Sequence, residues 1–161
     1  MRNGVEVGIK VSGLSDRWFV APAPKIEGLF FPGYEEKDAC PDLGDSAITE
    51  VGGLGGFAMA ASPGVLTLVG KSFSDAISMN EEMHEITLEE HPLFRIAFLD
   101  FRGTPVGIDI LKVVETGITP ICVTAIAHRE GGHGMIGVGL VRMPLGCFEE
   151  AVLSLNEELR K

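Results

Sequence analysis

The C-terminal part of the chain contains the pattern that most constrains its fold. Two apolar stretches of strand length, Ile121 to Ala127 and Met135 to Arg142, flank a short glycine-rich segment. From Leu145 onward, apolar residues recur at every third or fourth position, which predicts a helix with one apolar face. Strands followed by such a helix predict a fold of the α/β or α+β class.

Further strands are predicted from alternating or short apolar runs. Near the N-terminus, Val5, Val7, Ile9 and Val11 alternate with polar or glycine positions, which is the period of a half-buried strand. A chain of 161 residues is long enough for one domain that buries roughly two thirds of its unfolded surface. We therefore expect a single domain, residues 1–161, with a mixed sheet of several strands and about three helices. The other predicted extended segments are Trp18 to Val20, Leu29 to Phe31, Ile96 to Phe101 and Val106 to Ile110.

Two helices are predicted in the middle of the chain. The segment Ser46 to Ala61 is rich in Ala and Met, which favour a helix. Four of the five residues from 52 to 56 are glycines, and each costs a helix roughly 1 kcal/mol, so we expect a bend or the close approach of another backbone there. Ser72 and Asp75 form a capping-box pattern that opens a second helix through about Glu90, ended by Pro92.

The charge of the chain argues against some partners. The 23 acidic and 13 basic side chains give a formal charge of −10, which disfavours nucleic acid and anionic lipid surfaces. The sequence shows neither a signal-peptide pattern nor an apolar run of about 20 residues, so we expect a cytoplasmic protein and no membrane partner. Cys40, Cys122 and Cys147 form neither an even set nor a close pair, which predicts reduced thiols in buried or half-buried positions.

The most informative polar cluster is His128-Arg129-Glu130, at the end of a predicted strand. Glycines follow at once, and they allow the backbone to come close to a ligand. Arg129 could bind a carboxylate or a carbamoyl phosphate group, His128 could move a proton near neutral pH, and Glu130 could orient either partner. A charged, glycine-rich hairpin turn is an equally good interpretation of these residues alone. His128 and His133 could instead bind a metal, but the spacing marks no third ligand, so we predict none.

Two other patterns are weaker. Asp45 and Ser46 precede a predicted helix, where free N–H groups favour anions, and Glu50 would share that face; an ordinary N-cap explains them equally well. The residues Gly53, Gly55 and Ala58 match a dinucleotide fingerprint, but they lack the preceding apolar strand and the long helix that such a site needs.

Several ordered motifs, taken together, resemble the YlbE/AllG family, which is associated with the oxamate carbamoyltransferase of anaerobic allantoin degradation. The resemblance runs from Arg2 to the final helix. Members of the family are much longer, which implies that this chain corresponds to their C-terminal part and that the N-terminal part is a separate chain or an absent domain. The motifs are Arg2-Asn3-Gly4, Val11-Ser12-Gly13, Asp16-Arg17-Trp18-Phe19, Gly44-Asp45-Ser46-Ala47-Ile48-Thr49-Glu50, Gly107-Ile108-Asp109, Val114-Glu115-Thr116-Gly117-Ile118-Thr119-Pro120 and Ala127-His128-Arg129-Glu130.

The resemblance implies a role in the phosphorolysis of oxalurate to oxamate and carbamoyl phosphate. An FdrA-like subunit and other subunits would be partners in an oligomer, and the resemblance identifies no cofactor. The alternative is a non-catalytic scaffold or regulatory subunit whose acidic face and C-terminal apolar stripe bind partners. We expect His128, Arg129 and Glu130 to be catalytic, and the expected substrate-binding residues are Arg17, Asp45, Ser46, Glu50, Asp109, Glu115 and Thr116.

Overall fold

A computed structural model describes residues 1–44 and 48–161 and has an α+β fold, which confirms the predicted fold class. Short 3-10 helices lie at Glu36–Asp38, Thr49–Gly52, Gly55–Ala61 and Ala97–Leu99. The strands are β1 (Glu6–Ile9), β2 (Phe19–Pro22), β3 (Glu27–Phe30), β4 (Thr87–Ile96), β5 (Arg102–Ile108), β6 (Ile121–Ala127) and β7 (Met135–Arg142). The α-helices are α1 (Pro63–Val69), α2 (Phe73–Glu85), α3 (Ile110–Thr116) and α4 (Leu145–Leu159).

The described strands pair in three small antiparallel sheets. β1 pairs with β2, β4 pairs with β5, and the largest sheet has the order β3-β7-β6. Helix α4 packs against α3 and against the β1-β2 sheet, while the 3-10 helix Gly55–Ala61 packs between α2 and β6. Phe148 of α4 is buried, so the C-terminal apolar stripe contributes to the core, although its last residue, Leu159, is exposed.

The prediction of one continuous helix from Ser46 to Ala61 is wrong. Residues 45–47 lie outside the described part of the chain, and the rest forms two 3-10 helices separated at Gly53 and Leu54. Gly53 and Gly55 have positive φ angles of 77° and 60°, a conformation that ends a right-handed helix. A Cβ atom on Gly56 would lie 2.1 Å from the carbonyl oxygen of Ile121. The expected bend and close backbone approach are therefore both confirmed.

The second predicted helix is too long. Helix α2 begins after the N-cap Ser72, with the predicted capping box, but it ends at Glu85. The next residues form β4, which contains Pro92 in the irregular part of its ladder with β5, between Glu90 and Arg95. A proline lacks a backbone N–H group, and it is tolerated there because the irregular part of the ladder does not need one. The pairing with β5, not the local helix propensity, decides this segment.

Two smaller differences separate the predicted elements from the observed ones. The strand predicted from Ile96 to Phe101 is a 3-10 turn at Ala97–Leu99, followed by two residues with positive φ, Asp100 and Phe101. Helices α1 and α3 were not predicted, because each spans seven residues, too short for a clear periodic pattern. Among the described residues, none of the helices has the length and apolar character needed to cross a membrane.

We predict that Gly56→Ala lowers the free energy of unfolding by roughly 2–3 kcal/mol, because the new methyl group would collide with the backbone of β6. Urea denaturation measures the change. Gly64→Ala is the matched control, since Gly64 lies in α1 with open space around it, and alanine there should stabilise the helix by up to about 1 kcal/mol. Equal effects of the two substitutions would contradict the packing interpretation.

Candidate functional site

A cavity of about 620 Å³ is lined by residues from β1, the β5-α3 connection, α4 and the 3-10 helix Thr49–Gly52. Most of its wall is apolar, with Trp18, Leu88 and Phe148 among the lining residues. The charged residues in the wall are Arg2, Lys10, Glu50 and Asp109. An apolar cavity with a few charged groups is the usual form of a small-molecule site.

Arg2 is held by a buried ion pair. Its Nε and Nη2 atoms donate to the two carboxylate oxygens of Asp42 at 2.8 and 3.2 Å. The Arg2 side chain is 2% exposed and that of Asp42 is 0% exposed. Gly44 lies so close that a Cβ atom on it would be 2.7 Å from the Cβ of Arg2. This bidentate pairing fixes the guanidinium at the cavity wall.

Glu50 is buried and links two parts of the cavity wall. Its Oε1 atom accepts hydrogen bonds from the backbone N–H groups of Gly56 and Val123, both at 3.0 Å. A Cβ atom on Gly55 would lie 2.2 Å from this oxygen, so the glycine leaves room for the carboxylate. The two donors compensate the charge that burial would otherwise disfavour.

Cys122 lines the same cavity but is not an activated thiol. Burial raises its pKa, and the neighbouring Glu50 carboxylate raises it further. Because the thiolate is the nucleophilic form, Cys122 is unreactive at neutral pH. All three cysteines are free, with Cys40 half-buried and Cys122 and Cys147 buried, which confirms the prediction made from their spacing.

Asp109 and Lys10 occupy less buried parts of the wall. Asp109 is the N-cap of α3 and accepts a hydrogen bond from the Leu111 N–H group at 2.9 Å. Lys10 forms an ion pair with Asp16 at 2.6 Å, and its ammonium lies 5.5 Å from the centre of the Trp18 ring. The wall thus carries groups of both charge signs.

The predicted cluster His128-Arg129-Glu130 lies elsewhere, on the loop between β6 and β7, and none of its residues lines the cavity. Arg129 and Glu130 are exposed, and Arg129 donates from Nη1 to the Lys37 carbonyl at 3.2 Å. The His128 ring stacks on that of His133, with their centres 4.1 Å apart.

The predicted substrate-binding residues are not all brought together. Glu50 and Asp109 line the cavity, and Asp45 and Ser46 lie outside the described residues. Arg17 donates to the Ser154 hydroxyl at 2.9 Å and is exposed. Glu115 and Thr116 are exposed in the last turn of α3 and do not line the cavity.

Reasoning from the sequence missed the roles of Arg2 and Asp42. The first motif of the family resemblance contains Arg2, but the ion pair joins residues 40 positions apart. No local spacing predicts a contact of that range. The sequence feature that could have indicated the pair is that Arg2 and Asp42 each lie two residues before a glycine.

Asp42→Ala should lower the free energy of unfolding by about 3–5 kcal/mol, because it leaves the buried Arg2 charge without its partner. Chemical denaturation followed by circular dichroism provides the measurement. Asp16→Ala is the control, since Asp16 forms a solvent-exposed ion pair and its loss should have little effect. A similar small effect at both positions would show that the buried pair does not hold this wall.

Comparison with known proteins places the chain among longer relatives. The profile of the family described as "Oxamate carbamoyltransferase subunit AllG" matches residues 1–46. The protein named oxamate carbamoyltransferase subunit AllG, from Escherichia coli (strain K12), is 52% identical over 159 residues, which are 98% of this chain and 38% of that protein. The uncharacterized protein YahG of the same organism is 51% identical over 156 residues, 97% of this chain and 33% of the relative.

A solved structure agrees with these relationships. The crystal structure of a conserved protein of unknown function from Enterococcus faecalis V583 has a TM-score of 0.93 and 51% identity, covering 96% of this chain and 37% of that one. The chain thus spans about a third of the length of the relatives that it matches, from 33% to 38%. On this likeness in sequence and fold, the chain belongs to the AllG family.

Proposed function

We propose that this chain is part of an oxamate carbamoyltransferase-like enzyme complex and that its cavity binds the small anionic substrate, oxalurate or oxamate. The observation that carries the proposal is a cavity of about 620 Å³ with Arg2 and Glu50 fixed in its wall. The name of the AllG relative supplies the reaction.

The chemistry of the wall suits such a ligand. Oxalurate has a carboxylate at one end and ureido N–H groups at the other. Lys10 is a cation that binds carboxylates or phosphates, and Asp109 is an acceptor for N–H groups. The charges of Arg2 and Glu50, in contrast, are already compensated by Asp42 and by backbone N–H groups. A site with both signs of charge can orient a molecule of this kind, and orientation is a large part of catalysis in group transfer.

The catalytic role of the loop His128-Arg129-Glu130 remains a prediction. Its residues do not line the cavity, so in this proposal they act at a site that the rest of the complex completes. His128→Ala and Arg129→Ala, assayed for carbamoyl phosphate formation in the assembled enzyme, test that role. Undiminished turnover in both variants would exclude it.

Asp109→Asn and Lys10→Met test the cavity. Asn caps a helix as well as Asp does, so Asp109→Asn should keep its melting temperature. We expect each substitution to lower kcat/KM for oxalurate by about 10- to 100-fold, because a hydrogen bond to a charged group is worth roughly 1.5–3 kcal/mol. The assay uses the enzyme assembled from this chain and the part of the family architecture that it does not span. Lys25→Met, at an exposed lysine outside this cavity, is the control and should leave kcat/KM unchanged. Unchanged kinetics in both cavity variants would contradict the proposal.

An exposed apolar surface favours the partner part of this proposal. It lies at the tip of the β4-β5 hairpin and consists of Leu93, Phe94, Phe98 and Phe101. The ring of Phe73 of α2 packs edge-on against that of Phe98. Leu93 is 79%, Phe98 61% and Phe101 66% exposed, and Phe101 also has an unfavourable φ of 58°. Because this chain spans about a third of its relatives, we assign the hairpin tip to contacts with the remaining part of that architecture.

Phe101→Asn should weaken this association without harming the fold, since Asn tolerates the left-handed conformation and removes an exposed ring. The measurement is co-purification with a separately expressed polypeptide that carries the part of the AllG relative not spanned by this chain. Leu153→Gln, at an exposed leucine of α4, is the control and should bind normally. If the hairpin-tip variant loses turnover while the cavity variants keep it, the alternative function, a non-catalytic scaffold subunit, is favoured.

A further inference from the structure

Three side chains that bind transition metals lie together on the loop between β6 and β7. They are His128, Glu130 and His133, and one ligand atom of each lies within 4.8 Å of the others. We propose that this loop binds a divalent first-row transition metal ion of the Zn²⁺ type. The site is independent of the substrate cavity, because none of the three residues lines it.

The backbone of the loop brings the two histidines together. Gly132 and Gly134 have positive φ angles of 94° and 74°, so the chain turns back on itself around His133. The His128 N–H group donates to the Gly134 carbonyl at 3.0 Å and closes the turn. These constraints hold the two rings 4.1 Å apart without a metal.

A neighbouring segment anchors the other side of the loop. The Arg129 N–H group donates to the Asp38 carbonyl at 2.7 Å, and its guanidinium donates to the Lys37 carbonyl at 3.2 Å. Tyr34 also packs edge-on against the His128 ring. Part of the entropy cost of ordering a metal site is therefore met before the ion binds.

His128 has a carbonyl oxygen within reach of one ring nitrogen. Its Nδ1 atom lies 2.9 Å from the Glu130 N–H nitrogen, from which it accepts a hydrogen bond, and 3.3 Å from the Glu130 carbonyl oxygen. If the neutral ring binds the ion through Nε2, the ring proton is on Nδ1, so the hydrogen bond from the Glu130 N–H group must break and Nδ1 then donates to the Glu130 carbonyl. Ligating histidines usually donate their second N–H group to such an acceptor.

The ligand set selects the class of metal. Two imidazole nitrogens and one carboxylate oxygen suit Zn²⁺ and its neighbours better than Mg²⁺ or Ca²⁺, which prefer oxygen ligands. Tetrahedral bonds of about 2.0–2.1 Å need ligand atoms roughly 3.3 Å apart, so the ligand atoms, which lie within 4.8 Å of one another, must move closer when the ion binds. His133 is exposed and lies between glycines, so this movement is inexpensive. Three protein ligands leave a fourth position for water.

The test is a titration of the chelator-treated, tag-free chain with ZnCl₂ by isothermal calorimetry. We expect saturable binding of a single ion, weakened at least 10-fold in His133→Ala and in the isosteric Glu130→Gln. Glu89→Gln and His91→Ala are matched controls outside the cluster, and their affinity should equal that of the unmodified chain.

A second measurement does not depend on variants that fold. In nuclear magnetic resonance spectra of the unmodified chain, Zn²⁺ should shift the ring signals of His128 and His133 and leave those of His84 and His91 in place. The proposal is overturned if Zn²⁺ shows no saturable binding, if the cluster variants bind as tightly as the controls, or if the His128 and His133 signals do not move. Neither measurement uses catalytic activity, so failure of the proposed function would not affect its outcome.

Discussion

The cavity depends on the hydrogen bonds that the buried carboxylate of Glu50 accepts. One carboxylate oxygen accepts hydrogen bonds from the N–H groups of Gly56 and Val123 and so joins the 3-10 helices to β6. Glu50 and Val123 are 73 residues apart in the sequence. A buried charge persists only where donors compensate it, and the absence of a Cβ atom at Gly55 and Gly56 lets those donors approach. The glycine-rich segment thus allows close packing of the backbone and does not form a dinucleotide fingerprint.

The three features with functional potential lie on different parts of the chain. The cavity uses β1, the β5-α3 connection and α4; the His128 loop joins β6 to β7; and the apolar surface is the tip of the β4-β5 hairpin. The chain covers 38% of its AllG relative, and the proposed function assigns the hairpin tip to contacts with the remaining part of that architecture.

The sequence predicted some elements with their observed bounds. Strands β6 and β7 and helix α4 are the clearest cases, because each has an uninterrupted pattern of apolar residues that matches its own period. The bend at the glycines and the start of α2 at Ser72 were also correct, since both depend on local backbone chemistry. The predicted end of α2 was wrong because pairing with β5 overrides local preference there. The strand predicted from Ile96 to Phe101 was wrong because residues 97–101 form the turn that connects β4 to β5.

The sequence by itself limited the fold to the α/β or α+β class and predicted the free thiols and the glycine-rich loop that carries His128, Glu130 and His133. Each of these follows from residue type and short-range spacing. Tertiary structure alone decided that Arg2 pairs with Asp42, that Glu50 bonds to Val123, and that Asp109 reaches the same cavity while Glu115 does not. The physical reason is range: periodicity fixes which face of an element is apolar, whereas contacts across 40 or 73 residues form only when the whole chain has packed.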